Sequence, residues 1–576
     1  MNLESLANEL LLDLFEYFSS VYLLQTFYDL NTRLNNLILH HFQSHILNFQ
    51  SVSKYDFDIV CQKYLPSISD RIISLRLSDD DDTPKQIDLF FSYGLSFNLF
   101  SHLKSLSIYH VYSLNSLKRI TNELLYLPQL THLKITRHTI VYNEIYDIGI
   151  IDPIGRFPKL AYCYLDIIND NDCYFLTPSM ISSSLKYLSV PYLDCNINQL
   201  IYLIKYIPYL QSLNIRIVDH ATISQIPTII FLSIKKLKVL FFGTLNAMKN
   251  LLQTMSNLEN LKIEMESTYI DGYQWKTMIE NYLPNLILFQ FKMSTSLSHQ
   301  QNKEEKIDEI LNSFRSQFWI EKHQWFVQCY WISADTSSVV YVYTLPYAFA
   351  DFFYIGDVRL KSTCPNDNQY WSFDAIHNLY YGYVSYQNLF LSHIHLDNIH
   401  YLDLTIPFDE SFWSMVTTLE RLNSLNIVSY GNMDPIDIHS KLQILFDRSP
   451  HLHSLKFFSW FAQDEFPFDI KHPSIRQLDL QGPNIVYNQQ HCLKLSHSFI
   501  GQQCEVLFVT VKQRTDIIDL VNNMKNLRAL IVQCTKPVLM QKENENLIEW
   551  LQQHLPMTCS ISNSIEVSNS IRLWIR

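Results

Sequence analysis

One spacing of apolar residues, apolar-x-x-apolar-x-apolar, returns along most of the chain and limits what it can fold into. It reads Ile72-x-x-Leu75-x-Leu77, then Leu103-x-x-Leu106-x-Ile108, then Leu130-x-x-Leu133-x-Ile135. It continues from Leu160, Leu185, Leu210, Leu237, Leu258 and Leu286, and resumes from Ile399, Leu422, Leu452, Ile475, Cys504 and Leu527. Successive steps are 31, 27, 30, 25, 25, 27, 21 and 28 residues, then 113, then 23, 30, 23, 29 and 23. A period of roughly 20 to 30 residues predicts stacked units, each burying its apolar side only against its neighbours. Amphipathic helical stretches precede many triplets, as at 115–127, 198–207, 246–255 and 516–524. Pro128, Pro158, Pro208, Pro284, Pro450 and Pro473 each stand two residues before a triplet. Proline disfavours α conformation in the residue before it, so the chain leaves each helix and enters a strand extended.

This order of helix, turn and short strand predicts an α/β fold, an irregular leucine-rich-repeat solenoid. Parallel strands line its concave face and helices lie outside. The usual motif has Asn three residues past the last apolar position, whereas Val111 and Val218 stand there. The pattern divides the chain into a helical module at 1–48, a first repeat block at 49–291, an irregular segment at 292–395, and a second block with a C-terminal cap at 396–576. The irregular segment carries a charged helix at 304–315 and two strand-like runs at 325–332 and 339–345, readable as a hairpin insertion or as degenerate repeats. Asp79 to Asp82 reads as a solvated acidic loop.

Composition narrows the function. Glycine is only 10 of 576 residues, against an average near 7%. Phosphate cradles and strained catalytic turns depend on glycine. Net charge is −12, so the chain lacks the basic field of a nucleic-acid binder. Residues 1–15 carry Glu4, Glu9 and Asp13 and no basic residue, unlike a secretory signal. The most apolar window, 339–355, is broken by Pro346 and Asp351, so no membrane span is expected. Ten cysteines without a CxxC pair read as reduced thiols, which fits a cytoplasmic or nuclear protein. His393, His395 and His400 lack a Cys or acidic partner at ligand spacing, and no metal site or cofactor is expected. No phosphate-loop, dinucleotide, zinc-protease or nucleophile-elbow motif is present, and no catalytic residue is assigned.

The stretch from Leu6 to Phe18, LANELLLDLFEYF, resembles the opening of an F-box. Leu6 stands at the leading Leu position, Glu9 at the acidic position, Leu14-Phe15 at the Ile-Phe position and Tyr17-Phe18 at the closing pair. Leu23-Leu24 matches the next apolar step, and Ala7 stands where Pro is usual. F-box proteins often join this module to leucine-rich repeats. The resemblance implies a module that docks on the Skp adaptor of a cullin–RING ubiquitin ligase through Leu6, Glu9, Leu10, Leu14, Phe15, Phe18 and Leu24. It implies repeats that hold a protein substrate, with no enzymatic activity of their own. The alternative is a repeat scaffold whose helical N-terminus is a cap. Period-2 alternation sends Tyr109, His132, Lys134, Tyr162, Tyr164, Tyr187, Asn214, Arg216, Lys262 and Glu264 to the face opposite the triplets, and these are the expected substrate-binding residues.

Overall fold

The computed structural model describes residues 5–136, 152–166, 180–219, 230–266, 268–297, 302–332, 339–354, 358–365, 372–382, 394–408, 410–429, 435–459, 470–482, 485–535, 542–563 and 570–575. The fold is α/β, with two mostly parallel sheets and no closed barrel. Three helices open the chain: α1 (Asn8–Phe15), α2 (Ser20–Phe27) and α3 (Thr32–His41). Ser19 and Asn31 cap α2 and α3 by accepting from the Tyr22 and Leu34 amides, which satisfies donors that a helix start leaves orphaned.

The first sheet begins with β1 (Leu47–Asn48), β2 (Ser74–Ser78), β3 (Ser105–Tyr109), β4 (His132–Thr136) and β5 (Tyr162–Asp166). It continues with β6 (Tyr187–Cys195), β7 (Ser212–Asp219), β8 (Lys236–Gly243), β9 (Asn260–Met265) and β10 (Leu288–Ser296). These ten strands pair in chain order, all parallel. In-register columns such as Leu75, Leu106, Leu133 and Cys163 explain the recurring triplet. Each column is buried, together with the inner sides of the helices, in one continuous core. At ~25 cal/mol per Å² a fully buried Leu contributes roughly 1.5–3 kcal/mol, so the columns carry most of the driving force.

Helix ends follow the predicted chemistry. Asn196 with Gln199 and Asp271 with Gln274 form reciprocal capping boxes. The residues before the prolines, Leu127, Ile207 and Leu283, have ψ of 72°, 61° and 57°, outside the helical region. One register differs from expectation. Leu213 pairs with Leu237 and Ile215 with Val239, so the column member equivalent to Leu210 is Ile234, not Leu237. The run Val239–Phe242 is apolar throughout and fits either phase. Burial selects Leu237, Val239 and Phe241, while Leu240 and Phe242 are only partly covered. The steps around it then become 24 and 24 residues.

Residues 292–395 hold both antiparallel and parallel strands. β11 (Phe326–Ile332), β12 (Val339–Leu345) and β14 (Val358–Ser362) form an antiparallel patch that joins the first sheet where β12 pairs with β10. Between them, β13 (Asp351–Tyr354) opens the second sheet and pairs in parallel with β15 (Asn378–Tyr381). Both strands place aromatic residues at buried positions, Phe352 with Tyr354 and Leu379 with Tyr381. The second sheet runs on through β16 (Tyr401–Ile406), β17 (Ser424–Ser429), β18 (Ser454–Ser459), β19 (Gln477–Asp479), β20 (Val506–Val511) and β21 (Ala529–Cys534). It ends with antiparallel β23 (Ser570–Trp574) and β22 (Ser560–Asn563).

The chain's two ends meet, and this overturns the solvated reading of Asp79 to Asp82. Arg572 Nη2 donates to the carbonyls of Asp79 at 2.7 Å and Asp80 at 2.6 Å. It also lies 3.3 Å from the Asp81 carboxylate. Trp574 is fully buried with its ring 5.4 Å from Phe57, and Arg528 Nη1 donates to the Ser51 carbonyl at 2.5 Å. Asp79 itself is 4% exposed, and its Oδ1 accepts from the Ile87 amide at 2.8 Å.

Burial raises the Asp79 pKa to about 7, against the opposing pull of the Ile87 amide and Arg572, with Asp88 and Asp80 pushing the same way as burial. Because the folded value lies above the unfolded one, the folded chain holds this proton more tightly. This contribution to stability therefore falls as pH rises from about 4 to about 7, and is flat above. Its size is on the order of a few kcal/mol, at ~1.4 kcal/mol per pKa unit. Asp79→Asn keeps the acceptor for Ile87 and removes the charge. Urea unfolding at pH 5 and pH 8 should show a variant more stable than wild type at both, with the clearly larger gain at pH 8. A variant less stable at pH 8 would show that the ionised carboxylate is the form the fold uses.

Candidate functional site

Two surfaces collect the residues singled out in the sequence. The first is the outer side of α1. Leu11 and Phe15, four apart, face inward and are fully buried. The Phe15 ring lies 5.9 Å from Phe27 and 6.0 Å from His41. Leu24 is also fully buried. Phe15 and Leu24, expected to touch a partner, are instead the core that holds the three helices together. The three consecutive leucines Leu10-Leu11-Leu12 leave the phase of α1 open in the sequence, and packing on α3 settles it. Glu9 is exposed in the first turn of α1, Leu10 is 54% exposed, and Leu6, Leu14 and Phe18 are half-buried. Tyr17, just beyond the helix, is 86% exposed. Leu10, Leu14 and Tyr17 follow an i, i+4, i+7 spacing and so share one stripe. Arg33 ties the start of α1 to α3, donating to Asn8 Oδ1 at 2.8 Å and to the Leu6 carbonyl at 2.6 Å.

The second surface is the face of the first sheet opposite the buried columns. His132, Tyr162 and Tyr187 hold equivalent register positions on β4, β5 and β6. Neighbouring strands run ~4.8 Å apart, so flat side chains at one register stack. The His132 and Tyr162 rings are 5.7 Å apart, and the Tyr162 and Tyr187 rings are parallel at 4.4 Å. Beside this stack the Lys134 ammonium sits 4.8 Å from the Tyr109 ring and 5.0 Å from Tyr164. Arg76 lies over the other side of the group, 5.5 Å from Tyr109. Partial burial raises the pKa of Tyr162, with Tyr187 adding to it. Burial and then Asp166 raise that of Tyr164, so both phenols stay protonated donors at neutral pH. Tyr109, His132, Lys134, Tyr162, Tyr164 and Tyr187 therefore form one patch.

The remaining expected residues lie further along the same face. Asn214 Nδ2 donates to Ser189 Oγ at 2.9 Å, and Arg216 pairs with Asp194 at 3.1 Å. Lys262 and Glu264 belong to a separate group. Lys262 Nζ donates to the Ala348 carbonyl at 2.5 Å and stands 5.0 Å from the Phe349 ring, and Glu264 pairs with Lys292 at 2.6 Å. Burial, then Lys238, lowers the Lys262 pKa. This group adjoins a ladder the sequence reading missed: Phe353 and Tyr380 stack at 4.5 Å, and Tyr401 follows at 5.8 Å. The signal for it was the aromatic strands at 349–381, which depart from the leucine pattern.

The two patches offer aromatic faces, phenol donors and cations. Among the described residues no group of three His, Cys, Asp or Glu side chains converges as a metal-ligand set. His395 is exposed, the His377 and His400 rings meet edge to face at 4.9 Å, and His393 lies outside the described residues. Burial pushes the Cys163 and Cys504 thiols up to about 12, the opposite of an activated nucleophile. No described helix is long and apolar enough to cross a membrane. Comparison with known proteins adds no relative: no family model matches the chain, and no curated protein matches it.

Proposed function

We propose that this chain is a substrate-recognition subunit of a Skp–cullin–F-box ubiquitin ligase, cytoplasmic or nuclear and not itself an enzyme. In this reading α1 to α3 are an F-box-like module and the strands form an irregular leucine-rich-repeat solenoid, whose concave face holds a protein substrate. The observation that carries it is the presence of two separate unpaired surfaces on one chain. One is the Leu10, Leu14 and Tyr17 stripe on a helical module, the other the His132–Tyr162–Tyr187 stack on the sheet. Exposed apolar stripes and aromatic patches of this kind serve protein partners. The scaffold reading has its own support, since the module and the first sheet share one core, as an end cap would.

Co-purification with a Skp adaptor separates the two. Leu10→Glu with Tyr17→Glu should abolish adaptor recovery while leaving the melting curve in place, because both side chains are exposed. Leu14→Ala with Phe15→Ala is a poor probe, since losing buried Phe15 costs about 3–5 kcal/mol by itself. No adaptor recovered with wild type, or equal recovery with the double Glu variant, rejects the ligase reading and leaves the cap.

A further inference from the structure

A groove at the rim where the strands begin has no part in either surface above. Its floor is the backbone ladder just ahead of β4 to β8, in which Ala161, Lys186, Gln211 and Lys235 each donate to the preceding rung at 2.8–2.9 Å. The cavity measures about 690 Å³. Lys159, Lys186 and Lys235 line it, and among the described residues no carboxylate does. Tyr209 and Leu232, 61% and 60% exposed, form its apolar lip. Lys159 donates to Gln129 at 2.5 Å, and Lys235 pairs at 2.7 Å with Glu259, an exposed pair worth little. Three cations gathered at a concave apolar site, in a chain of net charge −12, mark this groove as made for something anionic.

We propose that this rim groove binds an acidic, extended segment of a partner protein. Lys186 and Lys235 stand on rungs two strands apart, a separation of ~10 Å. A peptide in the extended polyproline II form has three residues per turn and rises ~3.1 Å per residue, so carboxylates three residues apart lie on one side, ~9 Å from each other, and meet the two lysines together. The apolar residue between them lies on Tyr209 and Leu232. Small Ala161 leaves the floor open beside Lys159. A lipid surface fits less well, since a bilayer meets convex apolar tips and not a recessed slot.

The test is selection from a random 12-residue peptide display library against the full chain. The enriched sequences are expected to carry two acidic residues three apart with an apolar residue between. Measured by fluorescence anisotropy, a synthetic peptide of that consensus should lose at least about ten-fold in affinity with Lys186→Glu/Lys235→Glu, and about as much with Tyr209→Ser/Leu232→Ser. Its affinity should also fall with added salt. All four side chains are exposed, so folding is retained. Tyr162→Ser/Tyr187→Ser should leave this peptide's affinity unchanged, which separates the groove from the proposed substrate face. Absence of enrichment, enrichment of non-acidic sequences, or indifference to the lysine reversals overturns the proposal. So does lysine-dependent binding of phosphatidylserine vesicles without peptide enrichment.

Discussion

Arg572→Ala should unfasten the two ends of the chain and cost on the order of 3–5 kcal/mol, the usual penalty for removing one side of a buried charged contact. Arg572 is 4% exposed, serves the Asp79 and Asp80 carbonyls and the Asp81 carboxylate, and stacks 4.1 Å over Tyr112. Truncation to Ala strands two carbonyls and adds repulsion within the acidic run 79–82. Hydrogen exchange is the decisive readout. Local opening spans a wide range of free energies across a structure, so loss of this contact should be felt locally before it is felt globally. Protection should fall first in 74–83 and in β22–β23, while the middle strands β6 to β9 keep theirs. Trp574→Ala should act on the same segments, costing about 3–5 kcal/mol through the cavity left beside Phe57. The two side chains lie two residues apart on β23 and fasten the same segment, so the double variant should cost less than the sum. A loss under about 1 kcal/mol from Arg572→Ala, or uniform loss of protection along the chain, would refute the clasp.

That contact also marks the limit of what the sequence could tell. The parallel columns were readable because each triplet is local: Leu103, Leu106 and Ile108 fall within six residues, and burial repeats the same rule in every unit. The Leu237 register was misphased by three because a wholly apolar run carries no period. Aromatic strands at 349–381 were obscured because Phe and Tyr fill the Leu positions. Asp79 to Asp82 was misread because its partner lies 493 residues away from Asp79, and charge in a short run reads as exposure unless the distant cation is known. On α1 the chemistry was legible and the phase was not, so Phe15 passed as a contact residue when it is core. On the sheet, strand alternation fixes which face a residue takes, and stacking at 4.4 Å follows from register. The rim groove was invisible because its lysines and apolar lip sit in turns, where no periodicity speaks.

Tyr162→Ser with Tyr187→Ser should weaken binding of the proposed partner of the open sheet face by about 100-fold or more, while leaving the fold nearly as stable as before. Aromatic side chains at the centre of an interface commonly cost 2–4 kcal/mol on truncation, and every 1.4 kcal/mol is ten-fold in affinity. These two are placed for that role: partly covered, prestacked at 4.4 Å, and so held with little entropy left to lose on binding. Their loss removes one stacked pair, worth about 0.5–1.5 kcal/mol, and opens no core cavity, because the buried column beneath is Cys163 and Leu188. Tyr164 is a worse choice, since it also flanks Lys134 and lies 3.5 Å from Asp166. The measurement is titration calorimetry with the partner identified by cross-linking and mass spectrometry of the wild-type chain. Tyr162→Phe with Tyr187→Phe keeps the stack and removes only the hydroxyls, so it should retain most of the affinity if ring area dominates. A Phe variant as weak as the Ser variant would assign the binding to the two phenol donors. Unchanged affinity in the Ser variant, or a steep fall in its melting temperature, would mean that the stack is structural and that the partner lies elsewhere.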